Sequence, residues 1–355
     1  MPKPLLFTFR IILYMLLSVI LYFTGILVVN TATDYKPTDT DLSLPSVSFS
    51  SPDTAKKVYS VISWNIGYGG LGKEADFFYD GGRMVRPAKE EAIKYFNGIL
   101  QTIKSFDRPD IIMLQEVDRA SCRSYSRDQY HEICVELPDM QPVFAKNYDV
   151  LFVPLPPFDP MGKVESGLAV FSRQVMSSAR LMAFPGNYSW PKKLFMPDRC
   201  FIIASIDLPS GRRLHLINTH NSAFDNGSLR DRQLSTLFAR MEELYLNGDY
   251  VLAGGDWNIN PPGFTGNNFA SGDSAFRVIF NAEIFNKYPD WQVVFDDNFP
   301  SNRDVKTAYS HGKTPTTILD FFICSSNIKI LNINTLYDGF EHTDHQPVKL
   351  IFSLD

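Results

Sequence analysis

Tyr250-Val251-Leu252-Ala253-Gly254-Gly255-Asp256-Trp257-Asn258 runs from an apolar, strand-like segment straight into an acid and an amide. The same abrupt change recurs along the chain. Val58–Trp64 reads as a strand and ends at Asn65. Ile111–Leu114 runs into Gln115-Glu116-Val117, and Leu214–Asn218 runs into Thr219-His220. Leu319-Asp320-Phe321 opens another apolar run, and Thr343-Asp344-His345-Gln346-Pro347 leads into Val348–Phe352. Polar groups placed at the ends of rigid strands are where an α/β or sandwich fold builds a site. Singly, each has an ordinary structural reading. Asn65 reads as a turn cap, Glu116 as a solvated strand end and His220 as a loop hydrogen-bonder. Gly255-Asp256 reads as a tight turn, and Asp344-His345 as a helix or turn cap. Six such places in one chain shift the balance toward a common site.

Between these places the chain alternates short β-branched runs with helical patterns. Tyr148–Val153, Gly167–Phe171, Phe201–Asp207 and Ile328–Leu336 are further strand candidates. Residues 88–106 predict a helix with Ala92, Ile93, Phe96, Ile99, Leu100 and Ile103 on one face. A second helix is predicted from about 229 to 246, with Ser228 and Asp231 as a capping-box-like start. Many strands with few helices predict an α/β fold of two packed sheets flanked by helices, in one domain. The chain has 355 residues, 45% hydrophobic and 21% charged, which excludes a disordered chain. Its formal net charge is −5, so it lacks the basic footprint of a general nucleic-acid binder, although a local basic groove stays open.

The ordered set Trp64-Asn65, Leu114-Gln115-Glu116, Thr219-His220, Gly255-Asp256-x-Asn258, Asp320 and Asp344-His345-x-Pro347-Val348 resembles the endonuclease/exonuclease/phosphatase superfamily, the deoxyribonuclease-I-like fold. The resemblance covers about residues 58–355. It implies a four-layer α/β sandwich of two packed mixed β-sheets flanked by helices, and a metal-dependent phosphodiesterase. Glu116 resembles the principal metal carboxylate, Asn65 its amide neighbour, and Asp344 a second acidic metal or water ligand. Asp256 resembles the residue that orients and deprotonates the attacking water. Asn258 would point to the same side of an extended segment and hold phosphate or water. His345 resembles the histidine that contacts the phosphoryl oxygen, with Asp320 fixing its tautomer, and His220 a further phosphate contact. The implied cofactor is Mg²⁺, with Mn²⁺ or Ca²⁺ as alternatives; an oxygen-ligated hard cation neutralises the phosphoryl group.

The N-terminus bears on the compartment. From Ile11 to Val29 no residue is charged, roughly 28 Å at helical rise. Lys3 and Arg10 precede this run and Asp34 follows it, which predicts a signal anchor with its N-terminus cytoplasmic and the rest extracytoplasmic. A cleaved signal peptide is the rival, but the run is long and Thr31-Ala32-Thr33 is a poor site. The expected organisation is an anchor over 1–30, a flexible tether over 31–57 and a catalytic domain over 58–355. No CxxC pair is present, which gives a zinc site little support. Cys122 and Cys134 are close enough in sequence to bridge one loop, with four free thiols as the alternative.

The substrate is less sharply drawn. Gly67 stands where the exonuclease III branch carries an acid, and Gly255-Asp256-Trp257-Asn258-Ile259-Asn260 departs from the inositol-phosphatase pattern. The stretch Lys163–Gly167 lies where sphingomyelinase-like members place a basic residue, making Lys163 a substrate-binding candidate against a plain loop lysine. Arg123-Ser124-Tyr125 is a second candidate for reaching a head group. Leu155-Pro156-Pro157-Phe158 reads as bilayer contact or as packed loop. The anchor favours a phospholipid or sphingolipid head group as substrate. An extracytoplasmic nuclease acting on nucleic acid is the enzymatic alternative, and a fold kept for binding alone is the third. The sequence is silent on oligomeric state.

Overall fold

The computed structural model describes residues 3–46, 56–223, 225, 227–266, 269 and 282–354. The chain begins with helix α1 (Lys3–Ala32) and a two-residue strand β1 (Thr40–Asp41), then enters the domain at β2 (Val58–Asn65). Helix α2 (Lys89–Ser105) leads to β3 (Ile111–Asp118), α3 (Gln129–Glu136), and the long hairpin β4 (Gln141–Val153) and β5 (Gly162–Ser172). Strands β6 (Ser178–Ala183), β7 (Cys200–Asp207) and β8 (Arg213–His220) precede α4 (Ser228–Leu246) and β9 (Tyr250–Asp256). After α5 (Ala282–Asn286) come β10 (Trp291–Val294), β11 (Asn302–Arg303), β12 (Thr316–Thr317), β13 (Asp320–Ser325), β14 (Ile328–Thr335) and β15 (Val348–Leu354).

Two mixed sheets result. One has the order β1-β6-β7-β8-β9-β13-β10, the other β14-β15-β2-β3-β5-β4, and β11-β12 form a small ribbon. Each large sheet holds one parallel pair spanned by a helix: β2 and β3 across α2, β8 and β9 across α4. Alternating residues of both sheets meet in a shared core, including Val61, Met113, Leu168, Val170, Ile202, Leu216, Leu252, Phe322 and Leu350. Ile62, Trp64, Ile112 and Phe171 turn outward onto Phe96, Ile99 and Ile103 of α2. Ile203, Ile217, Val251 and Ile323 do the same onto Leu234, Leu237, Phe238 and Met241 of α4. Helix, sheet, sheet and helix therefore make the four expected layers.

Two expectations change in detail, and of the two readings of the cysteines one holds. Helix α4 has Gly227 at its N-cap, and Asp225 Oδ2 accepts from the backbone N–H of Gly227, Leu229 and Arg230 at 2.8–3.2 Å, so the capping carboxylate is Asp225 rather than Asp231. The four cysteines are free thiols, including Cys122 and Cys134. Residues 31–46, the first part of the expected tether, lie on the domain. Strand β1 pairs antiparallel with β6, Leu42 N donates to Ala179 O, Gln141 Nε2 to Pro45 O, and Ala183 N to Asp39 Oδ1. Composition marked this stretch as loop-like, but backbone donors and acceptors bond to a sheet edge whatever their side chains. Residues 47–55 lie outside the described residues.

Candidate active site

Parallel and antiparallel pairing together bring six strand ends to one place. The carboxyl ends of β2, β3, β8 and β9 lie at the same end of the sandwich as the amino ends of β13 and β15. Asp256 is in register with His220 on one side and with Asp320 on the other. Gly255, at φ +152°, permits this approach: a Cβ there would lie 1.9 Å from Thr219 O. Below the site a buried polar tie joins the two sheets. Gln115 Nε2 donates to Asn218 Oδ1 at 2.7 Å, and Asn218 Nδ2 donates to Leu114 O and Ala169 O.

Glu116 sits in a β-bulge, where Leu114 and Val117 of β3 pair with Ala169 and Gly167 of β5. Its backbone is left-handed, φ +53°, which turns its side chain out of the ladder and into the cleft. Asn258 is also left-handed, φ +52°, so the extended segment expected there is absent. It still lines the cleft, donates Nδ2–H to Asn221 O, and gives its backbone N–H to Asp256 Oδ1 at 3.0 Å.

Asp256 is the hub. Its Oδ2 accepts from Asn65 Nδ2 at 3.0 Å and lies 3.2 Å from His220 Nε2 and 3.7 Å from His345 Nε2. Burial works to raise its pKa, but the two histidines and the hydrogen bonds from His220 and Asn65 outweigh it, holding the carboxylate well below its usual range. Burial, with Arg199 nearby, lowers the pKa of His220, which favours a neutral ring. His345 goes the other way. Burial would lower it, yet Asp320, Asp256 and Asp344 raise it well above the ordinary value. Its Nδ1 donates to Asp320 Oδ2 at 2.8 Å, and that oxygen also takes the Ser301 hydroxyl at 2.8 Å. Asp320 is pushed up to about 6 by burial, against the pull of His345.

Two carboxylates remain for a cation. Glu116 is held below its usual range: burial would raise it, but His220, Arg123 and Arg199 outweigh that. Asp344 is raised, by burial first and then, against the pull of His345, by Glu116. Two hard-oxygen ligands, Asp344 buried and Glu116 partly so, that repel one another across a cleft fit a divalent ion, which would relieve the repulsion. Gly67 belongs to the same arrangement: a Cβ there would lie 2.8 Å from Asp344 Oδ1, so Asp344 fills the space an acid at 67 would need. Asn65 fits a cation less directly. Its Oδ1 accepts Gly67 N–H at 2.9 Å, while Nδ2 faces Glu116 and Asp256. Asp256, Asp320 and His345 also bring ligand atoms within 4.8 Å of one another, but hydrogen bonds already engage them, which suits proton handling better.

Glu116, His220, Asp256, Asn258, Asp344 and His345, backed by Asn65 and Asp320, form the floor of a cleft of about 590 Å³ whose lining includes Tyr68, Tyr79, Tyr148, Met161, Phe195 and Met196. Lys163 is not among the lining residues. It lies on β5 beside Glu165, 3.4 Å away, because alternation along the strand turns it from the floor. Two arginines take its place. Arg123 lines the cleft but is committed, its Nε and Nη2 bonded to Asp118 and its guanidinium 4.0 Å over the Tyr68 ring. Arg199 lines the cleft, and its guanidinium makes no ion pair or hydrogen bond among the described residues. Sequence reading missed it because it precedes a strand instead of ending one. It also missed Ser301 and Asn302, which clamp Asp320 and His345; Asn302 Nδ2 lies 2.9 Å from His345 Nε2. Four successive polar residues, Ser301-Asn302-Arg303-Asp304, were the available signal.

The sequence model of the Endonuclease/Exonuclease/phosphatase family matches residues 62–345, about four-fifths of the chain and every floor residue named above. The chain belongs to that family. Its members are phosphoester hydrolases, generally dependent on a divalent metal. No curated protein matches the chain by sequence. Among solved structures, an endonuclease/exonuclease/phosphatase from Beutenbergia cavernae is 16% identical with TM-score 0.56, covering 84% of this chain and 72% of that one. Danio rerio TDP2 complexed with single-strand DNA product is 15% identical, TM-score 0.54, covering 84% and 100%. ANGEL2, a 2′,3′-cyclic phosphatase solved with adenosine-2′,3′-vanadate, is 18% identical, TM-score 0.54, covering 84% and 96%. At these identities the likeness is one of endonuclease/exonuclease/phosphatase fold.

Proposed function

We propose that this chain is a membrane-anchored, metal-dependent phosphodiesterase that cleaves the head group of a phospholipid or sphingolipid outside the cytoplasm. One observation carries the reading: acids and imidazoles converge at the floor of a cleft walled by aromatic and methionine side chains. Such walls suit an amphiphile with a phosphate at one end. The one described helix long and apolar enough to cross a membrane is α1, and Lys3 and Arg10, which precede its uncharged stretch Ile11–Val29, favour a cytoplasmic N-terminus.

Glu116 and Asp344 would hold the cation, with Asn65 fixing Glu116. A divalent ion there supplies charge neutralisation to the phosphoryl oxygens and the leaving oxygen. Asp256, kept ionised by its neighbours, orients a water and takes its proton as the water's oxygen attacks phosphorus; the bond from phosphorus to the leaving alcohol oxygen breaks, and that oxygen is protonated from solvent. Asn258 N–H and His220 hold that carboxylate in place. His345 donates to a phosphoryl oxygen where negative charge grows, and Asp320 keeps its ring oriented. Arg199 offers the uncommitted cation for the incoming phosphate.

A DNA-bound TDP2 among the structural neighbours makes nucleic acid the second reading. The test is parallel incubation of the full chain with Mg²⁺ against sphingomyelin or ceramide-phosphoethanolamine vesicles and against plasmid DNA, with His345→Ala as control. Head-group release absent from the control is the expected result. DNA nicking without lipid turnover overturns the lipid reading.

A further inference from the structure

The last turn of α1 is built into the domain beside the cleft. Asn30 is buried and donates Nδ2–H to Phe152 O at 2.9 Å. Trp190 Nε1 donates to the Thr31 hydroxyl at 3.4 Å, Lys193 pairs with Asp34 at 2.9 Å, and Tyr35 OH donates to Lys146 O at 3.1 Å. These bonds tie the chain at the end of α1 to two segments: the β4–β5 hairpin, at Lys146 and Phe152, and the turn running from Trp190 through the short 3₁₀ helix Lys192–Phe195.

The same two segments carry exposed apolar side chains. Phe158 at the hairpin tip is 103% exposed, Trp190 57%, and Leu151 and Leu155 over 40%. Tyr79 joins them by donating its hydroxyl to Leu155 O. The inner faces of these segments line the cleft through Tyr148, Met161, Lys192, Phe195 and Met196. One surface thus touches the end of the apolar helix on one side and the cleft mouth on the other. Exposed apolar residues elsewhere, such as Val135 and Leu331, stand on separate elements.

A contiguous apolar patch marks an interaction surface. Its occupant follows from continuity: α1 leaves the bilayer at the residues that hold the patch, and Trp and Lys at such a level are the side chains of a membrane interface. We propose that the hairpin tip, with Leu155 and Phe158, and the Trp190 turn enter the outer face of the bilayer that α1 spans. The domain then lies against the membrane with its cleft mouth at the phosphate layer, fixed there by the docked helix end and not swinging on a leash. This rests on the reading of α1 as a retained span and deepens the lipid reading above.

The test uses the full chain in nanodiscs of phosphatidylcholine with brominated acyl chains. Of the four tryptophans, Trp64, Trp257 and Trp291 are buried, so quenching reports Trp190. A Trp190→Phe/Phe158→Trp variant moves the reporter to the tip. Loss of fluorescence at both positions, relative to unbrominated lipid, is expected. In a second arm, Leu155→Asp/Phe158→Asp lowers head-group release from vesicles about tenfold, the scale of one or two apolar side chains leaving lipid. Hydrolysis of soluble bis(p-nitrophenyl) phosphate stays unchanged. An unquenched tip reporter overturns the proposal whatever the activity, and so does release of the chain from membranes by alkaline carbonate. Quenching without lipid hydrolysis supports the docking and removes the lipid-substrate reading instead.

Discussion

At the floor of the cleft, Asp256 accepts from Asn65 and Asn258 and sits beside two histidines, and Asp320 accepts from His345 and Ser301. At the rim, Phe158 touches nothing that hides it and Trp190 is more than half exposed. The floor is held by buried, mutually bonded polar groups on strand ends; the rim is held by a few polar contacts to its carbonyls and to the end of α1, and leaves its apolar side chains outward. Buried charge demands partners, because an unpaired one costs several kcal/mol. An exposed phenylalanine demands none until it meets an apolar solvent. The floor is therefore suited to one fixed chemistry and the rim to an apolar surface held against it.

Metal removal should separate the two most completely. EDTA is expected to abolish phosphodiester hydrolysis and Mg²⁺ to restore it, while bromolipid quenching at the rim persists without metal. Turnover that survives chelation sinks the role of Glu116 and Asp344.

Asp256→Ala comes next. It deletes the proposed base and is expected to lower kcat by about 10³, roughly 4 kcal/mol in the barrier. The side chain also carries hydrogen bonds, so the donors left behind cost about 1–3 kcal/mol of stability. That predicts a folded protein by circular dichroism with Tm lower by a few degrees. Unfolding at room temperature would show Asp256 to be chiefly structural.

The contrast also explains what could be read from the sequence. The floor was legible because each of its residues stands at the end of an apolar run, and rigid strands carry such ends to a common place. Asn65, Glu116, His220, Asp256, Asn258, Asp320, Asp344 and His345 come together as the ordered motifs implied. The rim was legible only in part. Leu155 to Phe158 stood out as an apolar loop, but its neighbour Asn30 is separated from Phe152 by 122 positions. Nothing local links them. The sheet contact of Thr40–Asp41 within the expected tether was hidden for a related reason: Ser, Thr, Pro and Asp describe side chains, and β1 is held by backbone bonds to β6.

Arg199→Ala is expected to have a smaller effect than Asp256→Ala. Loss of one charged contact to phosphate should cost about 2 kcal/mol, roughly thirtyfold in kcat/KM, with the larger share in KM. An unchanged KM for both lipid and bis(p-nitrophenyl) phosphate would remove Arg199 from the phosphate site.

The smallest predicted effect belongs to Lys163. Its place in the sequence made it a phosphate ligand, yet strand alternation turns it toward Glu165 with its side chain 39% exposed. An exposed pair of this kind contributes about 0–1 kcal/mol. Lys163→Ala should therefore leave kcat/KM within about twofold on soluble and vesicle substrates, since nothing at the floor loses a partner. If Lys163→Ala impairs vesicle turnover alone, Lys163 belongs with the rim as a lipid-facing charge. If both substrates suffer equally while Arg199→Ala is silent, the two cations exchange roles and the hairpin must bend inward in the working enzyme. Measuring both variants on both substrates thus decides which side of the cleft receives the phosphate.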